Sequence, residues 1–292
     1  MTEDTHTIRA GGLTATIKAQ GAELCSLTNE AGVEFIWQAG PAWPRHAPLL
    51  FPIVGRLKND ELKHRGKTYR MTQHGFARDR RFGWLERSTS RCSLVLEDDA
   101  ATRALYPFPF RLVAAYALDD AGLAMTLTIT NTGEDVLPAS IGGHPAFNWP
   151  LKPELSKEGY ALTFAENEPH PIRRLEGGLL RAAAESTPVR GRMLGLSETL
   201  FTDDAVIFDR INSTSVRYAA GQGPWLEMSW TGFRELGVWS KPSGAPFLCI
   251  EPWRGCASPS DFDGEFGDKP GVMHIAPGAD GKLSFRIKVG MS

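Results

Sequence analysis

The chain has 292 residues, with 42% hydrophobic and 23% charged residues and a formal net charge of −2. The near-neutral balance excludes a broad positive field for nucleic acid or anionic membrane, and the apolar share excludes extensive disorder. The 30 glycines and 20 prolines exceed the average share and point to many turns between short elements.

The start, Met1 to Thr7, is polar and acidic, without an apolar stretch of secretory type, and no later run approaches the ~18 apolar residues that span a bilayer. The four cysteines (Cys25, Cys92, Cys249, Cys256) form no Cys-x-x-Cys pair, so they read as reduced, mostly buried thiols of a cytoplasmic protein.

Along the chain the dominant hydrophobic period is two. Leu13, Ala15, Ile17 and Ala19 alternate with polar residues, as do Leu123, Met125, Leu127 and Ile129, and again Leu283, Phe285, Ile287 and Val289. Each pattern predicts a strand with one face in a core. Cys92–Glu97 and Arg111–Leu118 add two more, and Asp119-Asp-Ala-Gly122 supplies turn chemistry for a hairpin into Leu123. Helical signals are few: one turn over Glu154–Glu158, and a short helix from Ser258 with Pro259 at its first position. The Pro-, Arg- and Gly-rich stretch 166–195 reads as a surface excursion. No strand–helix alternation, fixed-period repeat or linker breaks the chain, so residues 1–292 read as one antiparallel all-β domain without a Rossmann-type or P-loop site.

Four segments interrupt the alternation with glycine, proline, aromatic and ionisable residues: Leu50–Leu57, Gln73–Asp79, Gly142–Trp149 and Cys249–Gly255. Glycine beside an ionisable residue marks places where a strand end aims a side chain into a cleft. His144, between Gly143 and Pro145, is either a satisfied turn histidine or a rigidly held general acid. Glu251 ends the apolar run 246–250. It is either a hydrogen-bonded structural carboxylate or a base tuned by desolvation. Arg56, His74 and Arg78 are ambiguous singly. Trp37, Trp43, Trp149, Trp239 and Trp253 suit a core, or the apolar face of a sugar ring. No His, Asp or Glu spacing resembles a metal-binding helix, and no Gly-x-Ser-x-Gly elbow is present.

In this order, Ala47-Pro-Leu-Leu-Phe-Pro-Ile-Val-Gly-Arg56, Gln73-His-Gly-Phe-Ala-Arg-Asp79, Gly143-His-Pro-Ala-Phe-Asn148 and Ile250-Glu-Pro-Trp253 resemble the aldose 1-epimerase (galactose mutarotase-like) superfamily, in its bacterial mutarotase-like branch. The resemblance covers roughly Ile8 to Val289 and implies an antiparallel β-supersandwich with a sugar-binding cleft. It implies His144 as general acid and Glu251 as general base. Arg56, His74 and Arg78 become sugar or sugar-phosphate contacts, and Asp204 the sugar-binding aspartate, with Asp203 and Asp209 as neighbours competing for that part. Pro145-Ala146 departs from the Thr-Tyr common after the histidine in galactose mutarotases, which separates this chain from galactose as the expected sugar.

The implied reaction is interconversion of the α and β anomers of a hexose by acid/base ring opening, with no cofactor, no metal and no covalent nucleophile. It needs residues 144 and 251 facing one another across a reachable pocket, holding a pyranose between them. The alternatives are a hexose-6-phosphate mutarotase, with Arg56, Arg78 and Arg254 as candidate phosphate ligands, and a non-catalytic carbohydrate-binding or sensor protein. The expected partner is a small-molecule sugar or sugar phosphate, not nucleic acid or membrane, on a monomer or weak dimer.

Overall fold

A computed structural model of the chain describes residues 4–242 and 244–292. The alternating segments form a nine-stranded antiparallel sheet. Its order is Met193–Gly195, Ala161–Phe164, Ser215–Ala219, Pro224–Thr231, Asp280–Met291, Gly122–Asn131, Phe110–Asp119, Arg91–Glu97 and Gly83–Arg87. Leu123, Met125, Leu127 and Ile129 turn inward together with Leu283, Phe285 and Ile287. The intervening Thr126 and Ser284 sit on the opposite, solvent-facing side, as a period of two requires. The expected hairpin closes at Asp119–Gly122, where Asp119 Oδ1 accepts the Ala121 N–H at 2.9 Å.

A second sheet lies against the first. It runs Val206–Phe208, Glu235–Trp239, Phe247–Arg254, Ile141–Gly143 and Leu49–Leu50, with Ala146–Asn148 also pairing the Phe247–Arg254 strand. Contact between the layers is close, since a Cβ on Gly143 would come within 2.8 Å of the Phe285 ring. The Phe247–Arg254 strand shows no polar alternation because both of its faces are covered. Leu248 and Ile250 join the main core between the sheets, while Phe247, Cys249 and Trp253 belong to small clusters on the other face. Glu251 shares that second face. A three-stranded sheet of Thr5–Ala10, Leu13–Lys18 and Glu23–Asn29 flanks the assembly.

Two helical expectations are corrected. Residues 154–158 form an irregular turn, and Ser258–Phe262 does not coil. Pro259 instead makes a parallel bridge to Leu180, and Ser258 N–H is taken by the Arg56 carbonyl, so backbone pairing outweighs the local capping signal. Ala100–Arg103 is the α-helix among the described residues. It is fixed by a capping box in which Asp99 accepts the Thr102 N–H and Thr102 Oγ1 accepts the Asp99 N–H. The excursion at 166–195 contains a small hairpin, Leu175–Glu176 with Leu179–Leu180, besides the edge strand Met193–Gly195. Among the described residues none of the four cysteines is in a disulfide, and Cys92, Cys249 and Cys256 are buried. No helix of the described residues is long and apolar enough to cross a membrane.

Candidate active site

His144 interrupts a strand that pairs twice with the same partner. Gly142 stands opposite Trp253 on one side of the interruption and Ala146 opposite Cys249 on the other. That unchanged register puts position 144 opposite position 251. Pro145 has no N–H to donate to the ladder, and His144 N–H goes instead to the Pro48 carbonyl at 3.0 Å. Facing across the pair, His144 Nε2 lies 3.2 Å from Glu251 Oε2. His144 is 7% and Glu251 1% exposed.

Both nevertheless line a cavity of about 260 Å³, with Trp43, Gln73, His74, Arg78, Leu175, Asp204, Ile207, Trp239, Trp253 and Ala257 among the other wall residues. The volume is just below the roughly 300 Å³ at which pockets for drug-sized ligands begin. One sugar ring suits it better than a chain of them.

Burial sets the proton balance. It lowers His144 to about 3, a direction reinforced by the nearby positive charges of Arg78 and Arg45. Burial also pushes Glu251 well above the carboxylate range; the Trp253 N–H opposes that rise and the charge of Asp204 adds to it. Both shifts favour a neutral imidazole beside a protonated carboxyl, with His144 Nε2 and Glu251 Oε2 3.2 Å apart. His144 stacks on Trp43 at 4.9 Å between ring centroids and meets the edges of Trp239 and His74 at 5.9 Å and 5.6 Å. These rings cover most of the imidazole.

Trp253 orients the carboxylate. Its Nε1–H donates to Glu251 Oε2 at 3.2 Å. The indole is gripped between two glycines: a Cβ on Gly142 would lie 2.6 Å from its Cδ1, and one on Gly237 2.4 Å from its Cζ2. No side chain fits at either position without moving the ring.

His74 reaches the cavity on a loop seated against Leu49–Phe51. Gly75, at φ +70° and bridged to Phe51, makes that seat, because a Cβ there would lie 2.3 Å from the Phe51 carbonyl oxygen. His74 N–H donates to the Gly55 carbonyl, and His74 Nδ1 accepts the Gly55 N–H at 3.1 Å. With Nδ1 accepting, the neutral ring carries its proton on Nε2. Burial, with His144 and Arg78 nearby, holds His74 well below the usual histidine range. Arg78 Nη2 donates to the Gln73 carbonyl at 2.7 Å, and its Nε sits 3.7 Å from Asp79, which also pairs with Arg45 at 3.0 Å.

Of the three aspartates, Asp204 lines the cavity. Asp203 turns to Arg181 at 3.7 Å, and Asp209 is absent from the walls. Arg56 is not brought in. Its guanidinium makes a bidentate pair with Asp60, at 2.6 and 2.9 Å, and it is missing from the cavity walls, as is Arg254. The carboxylate four residues on offers Arg56 a fixed partner, so a sugar contact from it requires leaving that partner. Of the five tryptophans weighed from sequence, Trp43, Trp239 and Trp253 reach the cavity. Trp37 packs behind Trp43, donating to its carbonyl, and Trp149 is core. Leu175, Ala205, Ile207 and Ala257 carry no signal in the sequence, apart from the place of Ala205 beside Asp204, and Gln73 is marked only as the first residue of its motif.

Among the described residues one group of three potential metal donors occurs, His144, Cys249 and Glu251, with donor atoms within 4.8 Å of one another. His144 Nδ1 has no hydrogen-bond partner, whereas a metal-binding imidazole is ordinarily oriented through its second nitrogen. The group does not fit a metal centre.

A family model described as aldose 1-epimerase matches residues 4–268. The chain belongs to that family. Protein LacX of Lactococcus lactis is 32% identical over 289 residues, covering 95% of this chain and 96% of LacX. A galactose mutarotase related enzyme from Lactobacillus acidophilus superposes with a TM-score of 0.90 at 32% identity, over 98% of this chain and 97% of that one. A galactose mutarotase-like protein from Lactobacillus casei gives 0.91 at 31%, over 98% and 100%. The antiparallel supersandwich expected from the motifs is thus the fold of this aldose 1-epimerase family member.

Proposed function

We propose that this protein is a mutarotase that interconverts the α and β anomers of a free hexose. The observation that carries the reading is the His144–Glu251 contact at 3.2 Å on the floor of a cavity sized for one sugar ring. Family membership and the mutarotase-related neighbours support an isomerase of this type.

The two reacting oxygens of a pyranose, the anomeric hydroxyl and the ring oxygen, are bonded to the same carbon. Two catalytic atoms 3.2 Å apart can address both at once. The sugar therefore presents its anomeric edge to the pair and does not lie between the two side chains, which leave no gap. Glu251 takes the proton of the anomeric hydroxyl as His144 gives one to the ring oxygen. The C1–O5 bond breaks and C1=O forms. Rotation about C1–C2 and reclosure in reverse deliver the other anomer and restore both protonation states.

The pair enters as imidazolium and carboxylate, the tautomer of the neutral pair that burial favours. The proton count is the same in both, so substrate polarity has only to move one proton across the 3.2 Å between Oε2 and Nε2. His74 Nε2–H, Arg78 and Asp204 supply donors and an acceptor for the remaining hydroxyls, and Trp239 and Trp253 supply apolar faces.

A phosphorylated substrate calls for two or more cations converging at one end of the cleft. Arg78 is the one cationic side chain among the described wall residues, which favours the free sugar. A sensor has no use for an acid and a base in contact, which favours an enzyme. The test is polarimetry or NMR exchange on freshly dissolved anomers of a panel of free and 6-phosphorylated hexoses. Faster exchange of at least one free hexose is expected; sugar binding without acceleration of any sugar would defeat the reading.

A further inference from the structure

Asp204 has a backbone that a non-glycine residue adopts only when held. Its φ is +67°, in the left-handed region, and it is through this turn that it comes to line the cavity. Its N–H donates to the Phe201 carbonyl at 3.1 Å, and its own Oδ1 accepts the Ala205 N–H at 2.7 Å, leaving Oδ2 for a ligand. The third restraint comes from outside the turn: Arg174 Nη1 donates to the Asp204 carbonyl oxygen at 3.0 Å.

Arg174 is a costly choice for that task. It is 7% exposed, its Nε has no hydrogen-bond partner, and it does not line the cavity. Its nearest carboxylate is Glu185, 3.6 Å from Nε. Glu185 is shared with Arg181 at 3.1 Å, and Arg181 in turn lies 3.7 Å from Asp203. Two arginines of one hairpin region thus hold two successive aspartates, one by its backbone and the other by its side chain. The pairing draws Asp203 outward and leaves the Asp204 carboxylate, which has no ion-pair partner among the described residues, on the cavity wall. The backbone is registered as well: Arg173 exchanges two hydrogen bonds with Ile207, at 2.8 and 3.2 Å, which fixes this segment against the strand leaving the turn.

We infer that Arg174 is a positioning residue for sugar binding, holding Asp204 in the left-handed turn that aims its carboxylate into the cavity. The inference rests on the sugar-site reading above. It assigns Arg174 to affinity and not to proton transfer, since nothing connects it to His144 or Glu251 except through Asp204.

The experiment is a double-mutant cycle of Arg174→Met and Asp204→Asn, read as KM and kcat of anomer exchange on the preferred hexose. Each single variant is expected to raise KM about tenfold with kcat within about threefold, and the double variant to be no worse than the poorer single. Arg174→Lys, which keeps one donor, is expected to fall between. Should Arg174→Met not fold, Glu185→Gln, which removes the charge beside Arg174, takes its place in the same cycle. Losses that multiply in the double variant, an unchanged KM in Arg174→Met, or a fall confined to kcat would each overturn the assignment and leave the mutarotase reading standing. If the wild type accelerates no sugar, the cycle is read as calorimetric affinity for the hexose. A wild type that neither exchanges nor binds any hexose overturns both.

Discussion

His144 and Glu251 are cross-strand neighbours at a break in the ladder, their reactive atoms 3.2 Å apart beneath a cavity whose walls are mostly aromatic or apolar. The proline that breaks the ladder follows His144, and the tryptophan that orients Glu251 follows it by two positions. Each of the two proposed catalytic groups is therefore held by its own strand.

Removing either member removes one of the two coupled proton transfers. Glu251→Gln and His144→Ala are each expected to slow anomer exchange at least about 100-fold, the lower end for a positioned proton transfer. Glu251→Gln keeps the shape of the side chain, so circular dichroism and melting temperature should show a folded protein. A rate within about threefold of wild type for either variant refutes the pair as the catalyst.

The pH–rate profile follows from one shared proton. Burial lowers His144 to about 3 and raises Glu251 well above 4.5. The pair gains a second proton only near pH 3 and loses its single proton only as pH rises through the raised pKa of Glu251. Exchange catalysed by the enzyme should fall on the acid side only near pH 3, below the ordinary carboxylate value of about 4.3, and on the basic side only at the raised pKa of Glu251. An acid limb at the ordinary carboxylate value, measured as kcat/KM, contradicts the shared-proton account.

Stability carries the same signature. With Glu251 raised on folding, the native protein keeps a proton that the unfolded chain releases above about pH 4.5, so this group stabilises the fold at low pH and loses that effect as pH rises. Wild type should lose stability relative to Glu251→Gln as pH increases from 5 to 8, by at most about 1.4 kcal/mol per pH unit. Denaturant titrations of both proteins at four pH values measure the difference; parallel curves would sink the assignment.

Trp253 links packing to chemistry. Trp253→Phe retains a ring between Gly142 and Gly237 but removes the N–H that favours the Glu251 carboxylate. The high-pH limb of the rate profile should move upward and the rate fall about tenfold, roughly the worth of one hydrogen bond to a charged group. Gly237→Ala places a Cβ 2.4 Å from the ring, and is expected to cost about 1–3 kcal/mol in denaturant unfolding.

Much of the strand content was legible because one face of the large sheet meets water. Leu123–Ile129 and Leu283–Val289 alternate visibly, and their register is the pairing of two such patterns. The Phe247–Arg254 strand gave no such signal, being covered on both faces, and was recognisable only through its Glu-Pro-Trp motif. The short helix at 258–262 was wrongly expected because a Ser-Pro start is a local cue. The bridge of Pro259 to Leu180 is a long-range one.

The residue types of the site, with their order, were determined by the sequence alone: a glycine-flanked histidine, a carboxylate closing an apolar run, and a basic loop before both. Only the tertiary structure decided that 144 and 251 touch, that Asp204 and not Asp203 lines the cavity, and that Arg56 is engaged by Asp60. The physical reason is distance along the chain. Hydrophobic period and turn chemistry act over a few residues, whereas a pKa, a cavity wall or an arginine's choice of partner depends on groups that only packing brings together.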